Sequence, residues 1–376
     1  MKRRYVYMNI IFIVTALMLP CPFLKFGQYT EGKYVSVPEN KTIIPDFKDI
    51  VPNLKELETY LKGFAKNYSY FATLYEIGRS RRRKNEDSLP IYNMVLTSGY
   101  SKPIIVFIGG IYASDLSCPS SLVHTFTTWT TNTKILAQLL PLYDYHFIPL
   151  VNPEGYEFVY QKRRKGEFFR WLKNMRGFRS GRAVNILNNF DSHFSAFPKQ
   201  KSDEHYGGDK PFSEDESAII RDYIREIQNN TAAVFLLFSS PKDDAITYPY
   251  AHTMEKHDSW ILQEQLAIHA IRTARNISYN SLAVVSTAEY GGLEGGRMDD
   301  WLMETLKKSI ILNIQLTFSL KASDNRDTLK NLNTKIQTLL KRLVVGSYRD
   351  KYLRYQARST GFHEHIYKFP WKNVIS

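Results

Sequence analysis

The stretch KPIIVFIGGIYASDLSC (residues 102–118) combines an apolar run with a turn that carries two ionisable side chains. The run PIIVFI is short and rich in β-branched residues, which is typical of a strand buried on both faces of a sheet. Gly109 and Gly110 end the run, and Tyr112 and Asp115 follow it, three residues apart. Because open α/β sheets carry their sites at the carboxyl ends of strands, this turn is a candidate functional site.

Segments with strand and helix patterns alternate on both sides of this stretch. Apolar runs predict further strands in LPIYNMVLTSG (89–99), HFIPLV (146–151), AVFLLF (233–238) and IILNIQLTFSL (310–320). Helical spacing of apolar residues predicts helices in FKDIVPNLKELETYLKGFAKNY (47–68), SEDESAIIRDYIREIQ (213–228), SWILQEQLAIHAIRTAR (259–275) and NLNTKIQTLLKRLVV (331–345). Ser213 and Glu216 have the spacing of a helix-capping box. The alternation predicts one α/β domain with a mainly parallel or mixed sheet.

The N-terminus has the pattern of an export signal. Basic residues 2–4 precede an apolar run at 6–19, which predicts a signal peptide over residues 1–24 and a secreted, extracellular protein. An uncleaved membrane anchor and a buried helix are alternative interpretations, because the segment has no clean small-x-small cleavage site. Four Asn-x-Ser/Thr sequons agree with export and predict a glycoprotein; they lie at Asn40, Asn67, Asn229 and Asn276.

Cysteine content and charge restrict the chain further. Cys21 lies in or beside the signal, so we expect Cys118 to be unpaired and the fold to rest on its core rather than on disulfides. The net charge of +13 comes from 50 Lys and Arg against 37 Asp and Glu, with basic segments at 79–84 and 162–182. These segments are either solvated loops or a surface for a polyanion such as an acidic glycan. Nucleic acid is not an expected partner, since no nucleic-acid-binding module is recognisable.

Seven segments, in this order, resemble motifs of the zinc metallocarboxypeptidases, the peptidase M14 family. They are IGRS (77–80) with the strand that follows, KPIIVFIGGIYASD (102–115), PLVNPEGY (149–156), HYGGDKPFSEDESAII (205–220), FLLFSSPKDDAITYPYAHT (235–253), GGRMDDW (295–301) and LTFSLKASDN (316–325). The resemblance covers about residues 48–345 and implies a three-layer α/β/α domain with a mixed sheet of about eight strands. Residues 346–376 form a basic, aromatic C-terminal tail outside it.

The same resemblance identifies the positions at which that family holds zinc. Its members bind the metal through a His, a Glu and a distant His, and leave a fourth position for an acidified water. Here Tyr112, Asp115 and Phe238 take the ligand positions, and Ser319 takes that of the general base. A phenol is neutral at ordinary pH, a phenyl ring has no donor atom, and a hydroxyl cannot take a proton from water. The resemblance therefore implies a degenerate site with no zinc cofactor.

The positions that hold the substrate in that family are altered as well. Asn188 replaces the Arg that binds the terminal carboxylate, and a carboxamide cannot form the charged, forked hydrogen bonds of a guanidinium. Asn188 and its neighbour Asn189 are either contacts of a cleft ligand or structural turn residues. Arg176 matches the oxyanion-stabilising Arg only if one residue is inserted before it. Tyr290 matches the substrate-capping Tyr, and Met298 matches the floor of the specificity pocket, where it would suit apolar side chains.

These substitutions predict a secreted carboxypeptidase-like pseudo-enzyme that binds a peptide, a protein or an acidic glycan, in the old cleft or on the basic loops. A membrane is not an expected partner unless residues 1–24 remain as an anchor. The alternative is a zinc-dependent metallocarboxypeptidase with a rebuilt site, which cleaves C-terminal residues and requires zinc. A structural or storage protein is a third class, which no feature of the sequence specifically supports.

Overall fold

The apolar runs of the sequence form the centre of one mixed, eight-stranded sheet. The computed structural model describes Phe47 and residues 50–80, 88–99, 101–240, 243–274, 282–318 and 325–360. The strands are β1 Ala72–Ser80, β2 Leu89–Leu96, β3 Ile104–Ile108, β4 Asp144–Ile148, β5 Thr231–Ser240, β6 Ala245–Tyr248, β7 Ala283–Ser286 and β8 Ile310–Thr317. Their order across the sheet is β1-β2-β4-β3-β5-β8-β6-β7.

The four central strands, β4, β3, β5 and β8, are parallel, and the sheet becomes antiparallel where β2 joins β4 and where β6 joins β8. Side chains of β3 alternate between the two faces. Ile105 and Phe107 belong to one apolar cluster, whereas Val106 and Ile108 belong to another, and all four are fully buried. Burial on both faces explains why the sequence shows continuous apolar runs here instead of an alternating pattern.

Helices cover both faces of the sheet. Their bounds are α1 Leu54–Asn67, α2 Ser117–Thr131, α3 Thr133–Leu139, α4 Pro153–Arg164, α5 Asp215–Ile227, α6 Trp260–Thr273, α7 Thr287–Gly291, α8 Met298–Leu306 and α9 Arg326–Thr360. Helices α1, α2, α6 and α9 contribute to the cluster on one face, and α5 and α8 contribute to the cluster on the other. The predicted three-layer α/β/α architecture with a mixed sheet of about eight strands is therefore confirmed.

The capping box predicted for the start of α5 is wrong. The N-cap of this helix is Glu214, and its side chain caps no backbone N–H of the helix. Ser213 lies one residue too early to cap, and its hydroxyl donates to the Glu214 carboxylate at 2.9 Å. Glu216 is buried instead of reaching back over the helix end. The spacing of the two residues was right for a box, but the helix begins one residue later than that spacing requires.

Helix α9 crosses the boundary that we predicted between the domain and the tail. It continues from Arg326 to Thr360, and Leu343, Val344 and Ser347 are buried on either side of that boundary. Every described residue belongs to one compact unit, Lys33–Ser376. Among the described residues, no helix is both long enough and apolar enough to cross a bilayer. The predicted signal peptide and the end of the tail, from residue 361, lie outside the described part of the chain.

Candidate functional site

The turn after β3 is shaped by a glycine that no other residue could replace without strain. Gly110 has a φ of +59°, and a Cβ at this position would lie 2.6 Å from the Leu150 side chain. The neighbouring Gly109 donates its N–H to the Ile148 carbonyl at 2.9 Å, which holds the turn against the end of β4. The chain therefore reverses sharply at the carboxyl end of β3 and directs the next residues across the end of β5.

Three of the predicted positions meet at this turn. The Asp115 carboxylate accepts hydrogen bonds from the backbone N–H of Tyr112 at 3.2 Å and from that of Ser239, in β5, at 2.9 Å. The Tyr112 ring packs against the Phe238 ring with 5.3 Å between centroids. The structure thus brings Tyr112, Asp115 and Phe238 together at the strand ends. Ser319 lies outside the described residues, beyond the end of β8 at Thr317.

This cluster does not fit a zinc ion. Phe238 offers no donor atom, and burial raises the pKa of the Tyr112 phenol well above its usual range, so the hydroxyl stays neutral. Both oxygens of Asp115 already accept backbone hydrogen bonds. Zinc in a protein requires three or four ionised or imidazole ligands, and these three positions supply one carboxylate at most. No step of a zinc-dependent reaction is therefore assigned to these residues.

The buried Asp115 makes stability depend on pH. Burial raises the pKa of this carboxyl from 3.8 to about 8, against the opposing effect of its two backbone hydrogen bonds. The folded chain therefore holds this proton more tightly than the unfolded chain does. The stability gained from that proton is fully present below about pH 4 and is lost as the pH rises through about 8.

We therefore expect the free energy of unfolding of the native chain to fall by up to a few kcal/mol between about pH 4 and pH 8 through this one group. The Asp115→Asn variant lacks the titrating carboxyl, so its stability should vary less over the same interval. Urea unfolding at a series of pH values measures both profiles. Parallel profiles for the two proteins would show that Asp115 is already ionised in the folded state.

A buried ion cluster beside the turn was not predicted from the sequence. The Arg297 guanidinium donates to the Asp299 carboxylate at 2.9 and 3.3 Å and to the Glu294 carboxylate at 3.1 Å. Its side chain is 8% exposed, and its charge opposes the rise in the pKa of Tyr112. A sequence feature that could have indicated this cluster lies in GGRMDDW (295–301). The resembling family has Ser at the position of Arg297 and one Asp where this chain has Asp299 and Asp300.

Asn188, at the position of the family's carboxylate-binding Arg, is hydrogen-bonded to this ion cluster. Its amide group donates to the Glu294 carboxylate at 3.3 Å and to the Gly295 carbonyl at 3.4 Å. Its own carbonyl oxygen, Oδ1, is buried and accepts no hydrogen bond from any described residue. The His205 ring nitrogen Nδ1 lies 3.1 Å from the other oxygen of Glu294. Polar side chains therefore surround the buried Glu294, and the Asn188 oxygen is left without a donor among the described residues.

Asn189 and Met298 lie close in sequence to this wall but present little to a ligand. The Asn189 amide donates to the carbonyls of Gly207 and Lys210 and to the Ser213 hydroxyl. Its oxygen accepts from the Ser217 hydroxyl and from the Glu214 N–H. Every hydrogen-bonding group of Asn189 is thus used to hold the loop before α5. Met298 is fully buried among apolar residues at the start of α8, so it offers no exposed pocket floor.

Arg176 and Tyr290 lie apart from the Tyr112 turn in the contacts that they make. The Arg176 guanidinium donates to the Ser213 carbonyl at 2.6 Å and lies 3.7 Å from the Glu214 carboxylate, with a side chain that is 54% exposed. Tyr290 is half-buried on the short helix α7. Neither residue contacts the cluster of Tyr112, Asp115 and Phe238 through a hydrogen bond or a ring contact among those described.

Sequence comparisons show that this chain is similar to metallocarboxypeptidases. A sequence model described as zinc carboxypeptidase (peptidase M14) matches residues 57–338. Carboxypeptidase B from Astacus astacus is 25% identical over 245 residues, which cover 64% of this chain and 78% of that protein. A protein named inactive metallocarboxypeptidase ECM14, from Arthroderma gypseum, is 26% identical over 198 residues. That match covers 50% of this chain and 32% of the fungal protein, so this chain spans only about a third of its length.

Comparisons of structure agree on the fold. Bovine thrombin-activatable fibrinolysis inhibitor, solved in complex with tick carboxypeptidase inhibitor, superposes with a TM-score of 0.71 at 19% identity, over 81% of this chain and 100% of that one. Carboxypeptidase A from Helicoverpa armigera superposes with a TM-score of 0.71 at 17% identity, over 81% of this chain and 75% of that one. At these identities the likeness extends to the fold alone.

Proposed function

Because the chain belongs to the zinc carboxypeptidase family and yet carries a neutral phenol and a phenyl ring at two of that family's ligand positions, we propose that it is a pseudo-enzyme that binds a ligand without hydrolysing it. The observation that carries this proposal is the contact between Tyr112 and Phe238, whose rings pack 5.3 Å apart at two of the three ligand positions. Two aromatic rings in contact leave no polar cage for a cation. The name of the fungal relative, an inactive metallocarboxypeptidase, is consistent with this proposal.

The charges of the cleft support a ligand other than a free peptide C-terminus. Arg297 is the buried cation beside Tyr112, and it is already paired with two carboxylates, those of Glu294 and Asp299. The three groups together carry a net negative charge, which opposes the approach of a terminal carboxylate. An internal peptide segment carries no terminal carboxylate and avoids this repulsion. We therefore propose a peptide or protein segment as the ligand of the cleft.

The alternative function, a zinc-dependent carboxypeptidase, draws its support from the family match and from the likeness to carboxypeptidase B. Under that alternative, zinc and its ligands would have to come from residues other than Tyr112 and Phe238. The basic segments at 79–84 and 162–182 support a second mode of binding, to an acidic glycan.

Binding in the cleft is testable with a matched pair of variants. The Tyr112 hydroxyl makes no hydrogen bond to another described residue, whereas the Tyr92 hydroxyl donates to Glu58 at 2.8 Å. With a synthetic library of internal peptide segments as probe, we expect Tyr112→Phe to weaken the binding of selected peptides about 5- to 10-fold and to leave stability unchanged. Tyr92→Phe should lower stability by about 1 kcal/mol and leave peptide affinity unchanged. Calorimetric titration and thermal melts measure both effects.

The outcomes separate the classes of function. Equal affinities for the native chain and Tyr112→Phe would place the ligand outside the cleft. Heparin binding without peptide binding would favour the acidic-glycan mode, and binding of neither probe would favour a structural or storage protein.

We also propose that the protein is secreted and carries N-linked glycans. Asn67 and Asn229, two of the four sequons, are exposed on the described surface, where an oligosaccharide can be accommodated. Expression in a eukaryotic secretory host should give a medium-borne chain that begins after residue 24 and shrinks on glycosidase treatment. A chain that stays in the membrane fraction with residues 1–24 intact would favour the anchor instead.

A further inference from the structure

A group of side chains with metal-ligand atoms lies apart from Tyr112, Asp115 and Phe238. His193, His252 and Glu304 each offer a ligand atom, and these atoms all lie within 4.8 Å of one another. His193 follows the cleft residues 188 and 189 along the chain, His252 follows β6, and Glu304 is on α8. The three come from separate segments of the chain, and none of them was predicted as a site residue from the sequence.

His252 is held in the orientation that a metal ligand needs. Its Nδ1 lies 2.7 Å from a carboxylate oxygen of Asp300, a side chain that is 1% exposed. Asp300 is fixed in turn by the backbone N–H of Ala251 at 2.8 Å and by that of His252 at 3.0 Å. The carboxylate keeps the proton on Nδ1, so Nε2 presents its lone pair. A carboxylate behind a histidine is the usual arrangement around protein metal sites.

The other two side chains complete the group from the solvent side. The Ser192 hydroxyl donates to the Glu304 carboxylate at 2.8 Å and orients it. The same carboxylate oxygen lies 3.3 Å from Nδ1 of His193, whose ring stacks on that of His252 with 3.6 Å between centroids. Ligands about 2.0–2.1 Å from zinc lie about 3.4 Å apart in a tetrahedral site. The side chain of His193 is 50% exposed, so its ring can tilt to close the remaining gap.

The surrounding charges also favour a cation. The Glu304 carboxylate is itself a member of the group, and the Asp300 carboxylate lies 2.7 Å from the His252 ring nitrogen Nδ1. The Tyr250 ring packs 4.7 Å from the His252 ring and closes one side of the group. The positive charge of Arg297 is already matched by its own two carboxylate partners. A divalent ion would therefore enter a region of net negative charge.

We propose that His193, His252 and Glu304 bind a divalent transition-metal ion of the zinc class. Two imidazoles and one carboxylate suit zinc, cobalt or nickel, whereas calcium and magnesium prefer oxygen ligands throughout. Three protein ligands leave a fourth position on the metal open to solvent or to a side chain of a bound partner. The site shares no residue with Tyr112, Asp115 and Phe238, and it does not depend on the ligand proposed for the cleft.

Zinc binding by the chelator-stripped full chain tests this site directly. In calorimetric titrations with zinc chloride, we expect one ion per native chain and a loss of affinity of about 100-fold in His193→Ala and in Glu304→Gln. Cobalt should give the visible absorption of a tetrahedral site, and both variants should abolish it. His257→Ala is the matched control, because this ring also packs against Tyr250, with 5.6 Å between centroids, but offers no ligand to the group.

His193 and Glu304 are partly exposed, so both variants are expected to stay folded, which thermal melts without metal will check. Asp115→Asn should bind zinc like the native chain. The proposal is overturned if no zinc binds, if zinc binds equally to the native chain and to His193→Ala, or if Asp115→Asn alone removes the ion.

Discussion

The purified chain is expected to release no C-terminal residues from peptides, with or without added zinc. Active enzymes accelerate their reactions about 10⁶-fold or more, so the difference from a working carboxypeptidase is the largest effect that we predict. The reason is that the metal, its bound water and the general base act as one unit, and the loss of any part removes most of the activity. Here Tyr112 and Phe238 both fail as ligands.

Single reversions should fail for the same reason. Tyr112→His leaves Phe238 without a donor atom, and Phe238→His leaves Tyr112 neutral. Even Tyr112→His, Asp115→Glu, Phe238→His and Ser319→Glu combined would lack a carboxylate-binding Arg, since Asn188 stands in its place. Release of amino acids from peptides with apolar C-termini, followed by mass spectrometry, measures the rate. A carboxypeptidase B assayed alongside is the positive control, and chelator-sensitive hydrolysis by the native chain would establish the alternative function.

Replacement of Arg297 is expected to lower the free energy of unfolding by about 3–5 kcal/mol. In Arg297→Met the apolar stem is kept, while the charge that pairs with Glu294 and Asp299 is lost. Asp299 is fully buried and Glu294 nearly so, and both would be left as uncompensated charges. Hydrogen bonds to Asp299 from Thr287 and Asn313, at 3.0 and 2.6 Å, replace only part of the lost interaction.

Arg170→Met is the matched control for this prediction. Arg170 pairs with Glu204, but the two side chains are 48% and 52% exposed, so solvent screens the pair. Such pairs contribute about 0–1 kcal/mol. Urea unfolding of both variants at one pH compares them. Similar losses in the two proteins would mean that Glu294 and Asp299 take up protons or water when Arg297 is removed, and that the cluster is not a structural requirement.

The central strands were predictable because each is short, apolar and bounded by turn residues, as in the run before Gly109. The helix ends were less predictable, since they depend on where the chain turns. Ser213 and Glu216 had the right spacing, yet α5 begins after Glu214. Helix α9 continues past residue 345, where Ser347 is still buried and the Tyr348 ring packs against Tyr143 with 6.0 Å between centroids.

The candidate site was also predictable from the sequence only in part. The motifs placed Tyr112, Asp115 and Phe238 near one another because they lie next to parallel neighbouring strands, whose ends meet at one edge of the sheet. Arg297 and the group of His193, His252 and Glu304 were not foreseen. The partners of Arg297 are neighbours in sequence, but local spacing does not show that the three side chains are buried together. His193, His252 and Glu304 come from distant segments of the chain, and no local period of the sequence records that they meet.

The hydrogen bonds of Asp115 have a further consequence for recognition. The carboxyl group links the turn after β3 to the end of β5 by accepting hydrogen bonds from two backbone N–H groups. These hydrogen bonds hold this side of the cleft in place without a metal ion. Its shape therefore does not depend on the amount of free metal in the surrounding fluid. The partner that we propose would meet a surface that is already ordered, and binding would lose little affinity to the cost of ordering it. Under the proposed function, a ligand position of the enzyme family would thus serve to preorganise the binding surface.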